Sequence, residues 1–165
     1  MSGNIVLHKL PKIGQPNTKT CWVAAYQMAY AWKHSVLGDA KGAAEAVKKL
    51  DKAGLDTTRE LYPPQFEKAA IAVGIWPMAT KSMRDYEQFL WCIEKSPIWC
   101  VGTFSGSPHA VVVTGIKKSN KLLTVNDPWE IATQGANANT QMSYKGWAKT
   151  IANFTASCQM WYLGR

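Results

Sequence analysis

The sequence predicts an α+β fold, with helices gathered in its first part and an antiparallel sheet in its second. Two observations carry this. Up to about residue 95 the apolar residues fall in helix-length blocks, punctuated by Gly38, Gly54, Gly74 and Pro63-Pro64. Beyond that point they fall in short β-branched runs separated by Gly, Ser, Asn and Pro. Elements that segregate in this way, rather than alternate, mark α+β rather than a doubly wound sheet. The 165 residues read as one domain, 1–165, mainly helical over 1–96 and mainly β over 97–165. A chain of that length buries roughly 70% of its unfolded surface and needs neither metal nor disulfide to hold a core.

In chain order, residues 4–10 read as a short extended segment that ends at Pro11. A loop with Gly14, Gln15, Pro16 and Asn17 follows, and Thr18 or Thr20 is placed to cap the next helix. That helix, about 21–36, is apolar on almost every side, with Gln27 the main exception before Lys33. A helix without a polar face is a buried one. Further helices are expected over about 40–53, 64–73 and 83–95, with the three glycines as stops and Pro63-Pro64 as a start. Strands are expected over 98–101, 109–116, 122–126 and 158–163. The stretch 135–140 reads as a polar surface loop, and 143–152 fits either a short helix or an irregular loop.

Composition narrows the function classes. Hydrophobic residues at 47% and charged residues at 18% describe a globular chain. The net charge of +8 is scattered, its longest basic runs being the pairs Lys48-Lys49 and Lys117-Lys118. That pattern suits solubility or an acidic protein partner better than a nucleic-acid interface. No stretch approaches the ~20 apolar residues of a membrane span. The N-terminus lacks the basic and apolar regions of a classical export signal. Of the cysteines at 21, 92, 100 and 158, none forms a C-x-x-C pair or has a histidine at zinc spacing. No metal and no cofactor are expected, and the last three cysteines read as buried thiols.

Cys21 is different because it opens a helix. A helix N-terminus carries roughly half a positive charge and unpaired N–H groups, both of which favour thiolate. Two further residues complete a chemistry. His109 opens the run His-Ala-Val-Val-Val, and Asp127 closes Val125-Asn126 before Pro128-Trp129. His109 is suited to act as base and then acid, and Asp127 to fix its tautomer by accepting the other ring N–H. The Gln15 amide and the Cys21 backbone N–H are candidate oxyanion donors. Trp22 flanks the nucleophile, and Trp129 is placed to cover the His109–Asp127 bond from water. His8 stays available as a base, whereas His34 lies about 20 Å along the helix from Cys21. Each residue alone has an ordinary structural explanation, and it is their order that carries the reading.

That order resembles the papain-like cysteine proteases. Gln15 with Cys21-Trp22 is similar to the glutamine–cysteine–tryptophan block, and His109-Ala110-Val111 to the histidine motif. Asn126-Asp127-Pro128-Trp129 is similar to the asparagine-x-tryptophan motif, with Asp127 in the asparagine position. The resemblance implies a buried central helix in a helical lobe, packed on an antiparallel half-barrel with the active site in the cleft between them. It implies a cysteine endopeptidase working through an acyl-enzyme. The closest branches are bacterial effector or toxin proteases and double-glycine leader peptidases. From these follow a secreted or delivered effector acting in a target cell's cytoplasm, a protein substrate cut near glycine, and a cognate immunity protein. The second cysteine that papain carries before its nucleophile is missing from Pro16-Asn17-Thr18-Lys19-Thr20, which fits a reducing compartment. Alternatives on similar machinery are a peptidoglycan amidase toxin, whose nucleophile block runs Asp-Cys-Ser-Gly, and an acyltransferase or deamidase. A binding module without catalysis is the non-enzymatic alternative.

Overall fold

The computed structural model describes residues 3–77, 85–104, 106–152 and 160–162. The expected central helix is α1, Cys21–Lys33, in which every residue from Trp22 to Ala31 except Gln27 is buried. It stops three residues early because the chain tightens into a 3-10 turn over Ser35–Leu37 before Gly38. The other helices are α2 (Asp39–Lys52), α3 (Phe66–Ala72), α4 (Tyr86–Ile93), α5 (Pro128–Gln134) and α6 (Tyr144–Ala152). Helix α2 buries only Gly42, Ala46 and Leu50. Gly42 is required for this contact, since a Cβ there would lie 2.9 Å from the Ala31 Cα. Among the described residues no helix is long and apolar enough to cross a membrane.

Seven strands form one antiparallel sheet: β1 (Ile5–Leu7), β2 (Trp76–Pro77), β3 (Ile98–Phe104), β4 (Ser107–Lys117), β5 (Leu122–Asn126), β6 (Thr140–Ser143) and β7 (Met160–Tyr162). Their order is β2-β7-β3-β4-β5-β6, with β1 also paired to β4. Strand α1-facing residues of the sheet and the helix build the core together. Trp99 stacks on Tyr26 at 4.7 Å and takes the Phe66 ring edge-on at 5.8 Å. Burying a side chain of the Phe class contributes roughly 1.5–3 kcal/mol, so this cluster ties α1, α3 and β3 into one body.

Several expectations are corrected. The undecided stretch 143–152 is the end of β6 followed by α6, which buries Trp147 and Ile151. The segment 135–140 is more than a polar loop: it forms a 3-10 turn over Gly135–Asn137, buries Ala138 and begins β6 at Thr140. Lys12 holds it by donating to the carbonyls of Ala136 and Ala138. Helix α5 was not expected, although Asp127 as N-cap with Pro128 at the first helical position is a strong start signal. Cys92 and Cys100 are buried thiols. Burial pushes the Cys92 thiol up to about 11, against a smaller opposing effect of Lys95. Cys158 lies outside the described residues.

One feature of the register positions everything that follows. Strand β3 pairs with β4 from Ser107 to Val113, and β1 takes over from Gly115 to Lys117. On the opposite edge β5 pairs only from Val112 to Lys117, with Thr114 as an extra bulged residue. Residues 107–111 of β4 therefore run past the end of β5, and among the described residues no strand lies beside their outer edge.

Candidate active site

The vacant edge exists because β5 ends at Asn126, where Asp127 and Pro128 turn the chain into α5. One oxygen of Asp127, Oδ1, accepts the backbone N–H of Trp129 at 2.8 Å and Nε2 of His109 at 2.7 Å. The His109 and Asp127 side chains are only 15% and 16% exposed, so water competes little for this bond. With Nε2 committed to Asp127, the other ring nitrogen is left to face Cys21, whose interaction with the imidazole contributes to its raised pKa.

Cys21 arrives as the first residue of α1. Its Sγ accepts the backbone N–H of Ala110 at 3.5 Å, in the place on the β4 edge that β5 leaves open. Burial by itself lowers the His109 pKa, but the bond to Asp127, the bond to Cys21 and the charges of both outweigh it. The imidazole is lifted to about 9. For Asp127, burial pushes upward, yet the His109 bond and charge and the backbone N–H groups of Trp129 and Glu130 hold its carboxyl below the usual range. The pair thus rests as imidazolium and carboxylate at neutral pH.

The helix terminus behind the sulfur is left open to an anion. Thr20 occupies the N-cap, but its hydroxyl donates to the Asn17 carbonyl at 3.4 Å and caps nothing in α1. Val23 and Ala24 donate to the Thr20 carbonyl, whereas the Cys21 N–H has no acceptor among the described residues. An uncommitted N–H at a positive helix end is suited to a developing oxyanion.

Gln15 is buried at 6% exposure beside α5, where its backbone N–H donates to the Pro128 carbonyl at 3.1 Å. Its Nε2 donates to the Asn17 carbonyl at 2.7 Å, and its Oε1 is buried without a partner. Because a carbonyl faces it, this amide must present nitrogen there, and one Nε2 proton stays uncommitted. Gln15 is not among the residues lining the cleft described below.

Trp22 is buried, meets Tyr26 edge-on at 6.2 Å and donates its indole N–H to the Arg59 carbonyl at 2.8 Å. It joins α1 to the 53–62 segment. Trp129 meets Asp127 through its backbone N–H, and the residue is 47% exposed on the first turn of α5. The ring set edge-on to His109 is Phe104, at 6.0 Å. His8 is engaged elsewhere, its Nε2 lying 2.6 Å from the Ile93 carbonyl.

Cys21 and His109 open onto a cleft of about 540 Å³, lined also by Trp22, Leu61, Tyr62, Phe66 and Pro108. Phe104, the Ala110 N–H and the 60–66 wall are the parts that sequence reasoning missed. Pro63-Pro64 signals only a helix start, and the Ala110 N–H becomes visible only through strand register. No cluster of three metal-ligating side chains occurs among the described residues.

A thiol at a helix start, an imidazole and a carboxylate bonded to it thus lie together beside this cleft, the residue types that a cysteine peptidase uses. The sequence profile of the family described as papain-like cysteine protease AvrRpt2 matches residues 7–145, and the chain belongs to that family. It is a papain-like cysteine protease. No curated protein matches the sequence significantly. Among solved structures, the chain is similar to a double glycine motif protease from an AMS/PCAT transporter, crystallised in complex with the leader peptide. The identity is 19%, with a TM-score of 0.55 over 96% of this chain and 94% of the other, which is a likeness of fold.

Proposed function

We propose that the whole of 1–165 acts as one catalytic domain, in which Cys21 is the nucleophile and His109 its acid–base partner. Asp127 orients His109, and the Cys21 N–H and Gln15 Nε2 receive the oxyanion. The observation that carries this reading is the bond of His109 Nε2 to Asp127 Oδ1 at 2.7 Å, with the Cys21 sulfur held 3.5 Å from the backbone N of the next residue, Ala110. The thiolate adds to the scissile carbonyl, and the carbonyl electrons move onto oxygen. As the tetrahedral species collapses, the C–N bond breaks and the imidazolium gives its proton to the leaving amine. Water then attacks the thioester and gives its proton to His109, and the thiolate departs. Trp22 supports this unit by fixing the wall it shares with Arg59.

The substrate is a protein, cleaved near glycine inside a recipient cell to which the enzyme is delivered as an effector or toxin. Family membership supports the effector reading, and the leader-peptide protease of similar fold supports the glycine preference. A protease of this kind has to be restrained where it is made. The +8 charge suits an acidic cognate immunity protein. Terminal-peptide mass spectrometry of recipient cells expressing wild type or Cys21→Ala tests the reading. New termini next to glycine are expected with wild type alone. Identical peptide sets from both proteins would remove Cys21 from the chemistry.

A further inference from the structure

Charged groups near the nucleophile do not exhaust what holds it. In an antiparallel pair, alternate N–H groups of a strand point to alternate edges. The Ala110 N–H points toward the edge where Val112 pairs with Asn126 of β5, and not toward β3, because it reaches Cys21 Sγ at 3.5 Å. Had β5 continued past Asn126, this N–H would belong to the sheet ladder. Instead the chain leaves at Asp127 to form α5, and the sulfur takes the ladder acceptor's place. Ala110 itself is buried at 1% exposure, so water is poorly placed to replace the sulfur. The two residues lie 89 positions apart in the chain.

We propose that the Ala110 backbone N–H is a catalytic group, a fixed hydrogen-bond donor to the Cys21 sulfur that favours its thiolate form. It rests on the reading of Cys21 as nucleophile. A charged acceptor binds an N–H more strongly than a neutral one, so the bond stabilises thiolate relative to thiol. Once the sulfur is acylated its acceptor strength falls, and the bond weakens. When the thioester is hydrolysed and sulfur leaves as thiolate, the bond is restored. The donor therefore favours the departure of sulfur while moderating its attack, since a more stable thiolate is a weaker nucleophile. No proton is transferred along this bond. The N–H differs from His109 in carrying no charge of its own, and it cannot be lost by titration.

The test replaces that N–H with oxygen by incorporating lactic acid at position 110, which turns the amide into an ester and leaves the methyl group in place. The pH dependence of Cys21 alkylation by iodoacetamide is then compared with wild type. The acid limb is expected to move up by about one pH unit, the scale of a hydrogen bond to a charged group. An ester at Val112, whose N–H lies in the β4–β5 ladder, serves as the control for general weakening of the sheet. The control should leave the acid limb where it is in wild type. An acid limb unmoved by the Ala110 ester, or moved equally by both esters, overturns the proposal.

A second measurement leaves the backbone intact. In wild type, the Ala110 amide proton should shift in NMR spectra with the same midpoint as Cys21 alkylation, and the shift should vanish in Cys21→Ala. An amide that does not follow that midpoint also overturns the proposal. Loss of peptidase activity on alkylation reports separately on whether Cys21 is the nucleophile, so the two readings fail by different observations.

Discussion

Asp127→Asn isolates the charge that raises His109. Both bonds of Asp127 use the same atom, Oδ1, which accepts from Trp129 N–H and from His109 Nε2. Asparagine keeps an oxygen in that position and removes only the negative charge. His109 stands at about 9 against an ordinary 6.5, a net rise of about 3 kcal/mol at 1.36 kcal/mol per unit. That rise is what remains after burial has pulled the other way, so its partners supply more than the net. An opposite charge within hydrogen-bond distance typically accounts for about 1–3 units. The assay is kcat/KM on a peptide substrate as a function of pH. In wild type the alkaline limb, where the imidazolium loses its proton, is expected near pH 9. In the asparagine variant it should fall by about 1–3 units. Linkage fixes the sign of the accompanying stability change. The folded pKa lies above the unfolded value, so the contribution is complete below about pH 6.5 and is lost as pH rises through about 9. Urea unfolding should show wild type losing about 3 kcal/mol across that window and the variant losing less. An alkaline limb at the same pH in both proteins would refute the reasoning.

Two further outcomes concern neighbouring side chains. Gln15→Ala should lower kcat by about 10²–10³ with little change in KM, the loss typical of one oxyanion donor. Unchanged kcat would leave Gln15 as a purely structural link between Asn17 and α5. Trp22→Phe removes the donor to the Arg59 carbonyl while keeping most of the apolar ring. It should raise KM more than it lowers kcat, as measured by steady-state kinetics on a peptide, because it loosens the cleft wall and leaves the sulfur in place. A change confined to kcat would point instead to displacement of Cys21.

Residues whose role depends on local pattern were legible in the sequence. The absence of a polar face on 21–33 foretold the burial of α1, and β-branched runs foretold β4 and β5. The order Cys21, His109, Asp127 foretold a meeting that the fold brings about. What escaped was set by neighbours distant in sequence. The identity of the ring beside His109 depends on the β3–β4 hairpin, which brings in Phe104 and leaves the nearer candidate, Trp129, half in water. The helix within 143–152 was ambiguous because its apolar residues Trp147 and Ile151 acquire a face only when the sheet supplies a surface. Thr20 looked like a side-chain cap by residue type, but its hydroxyl is drawn to the Asn17 carbonyl in the loop before it. Helix α5 was in principle readable, since an aspartate followed by proline and a helical run is a start signal as well as a strand stop.

That double meaning of Asp-Pro is where fold and chemistry become inseparable. Asp127 caps α5 and bonds His109 with one oxygen, so losing the side chain disturbs both tasks at once. Pro128 forces the strand to end there, and the early end of β5 is what opens the β4 edge to Cys21. A longer β5 would add ladder bonds and close the site. Asparagine caps helices about as well as aspartate, whereas alanine costs about 0.5–2 kcal/mol at an N-cap. Asp127→Ala should therefore lose α5 stability as well as turnover, while Asp127→Asn should move the alkaline limb to lower pH and keep the helix. The contrast between the two variants separates the structural duty of this residue from its catalytic one.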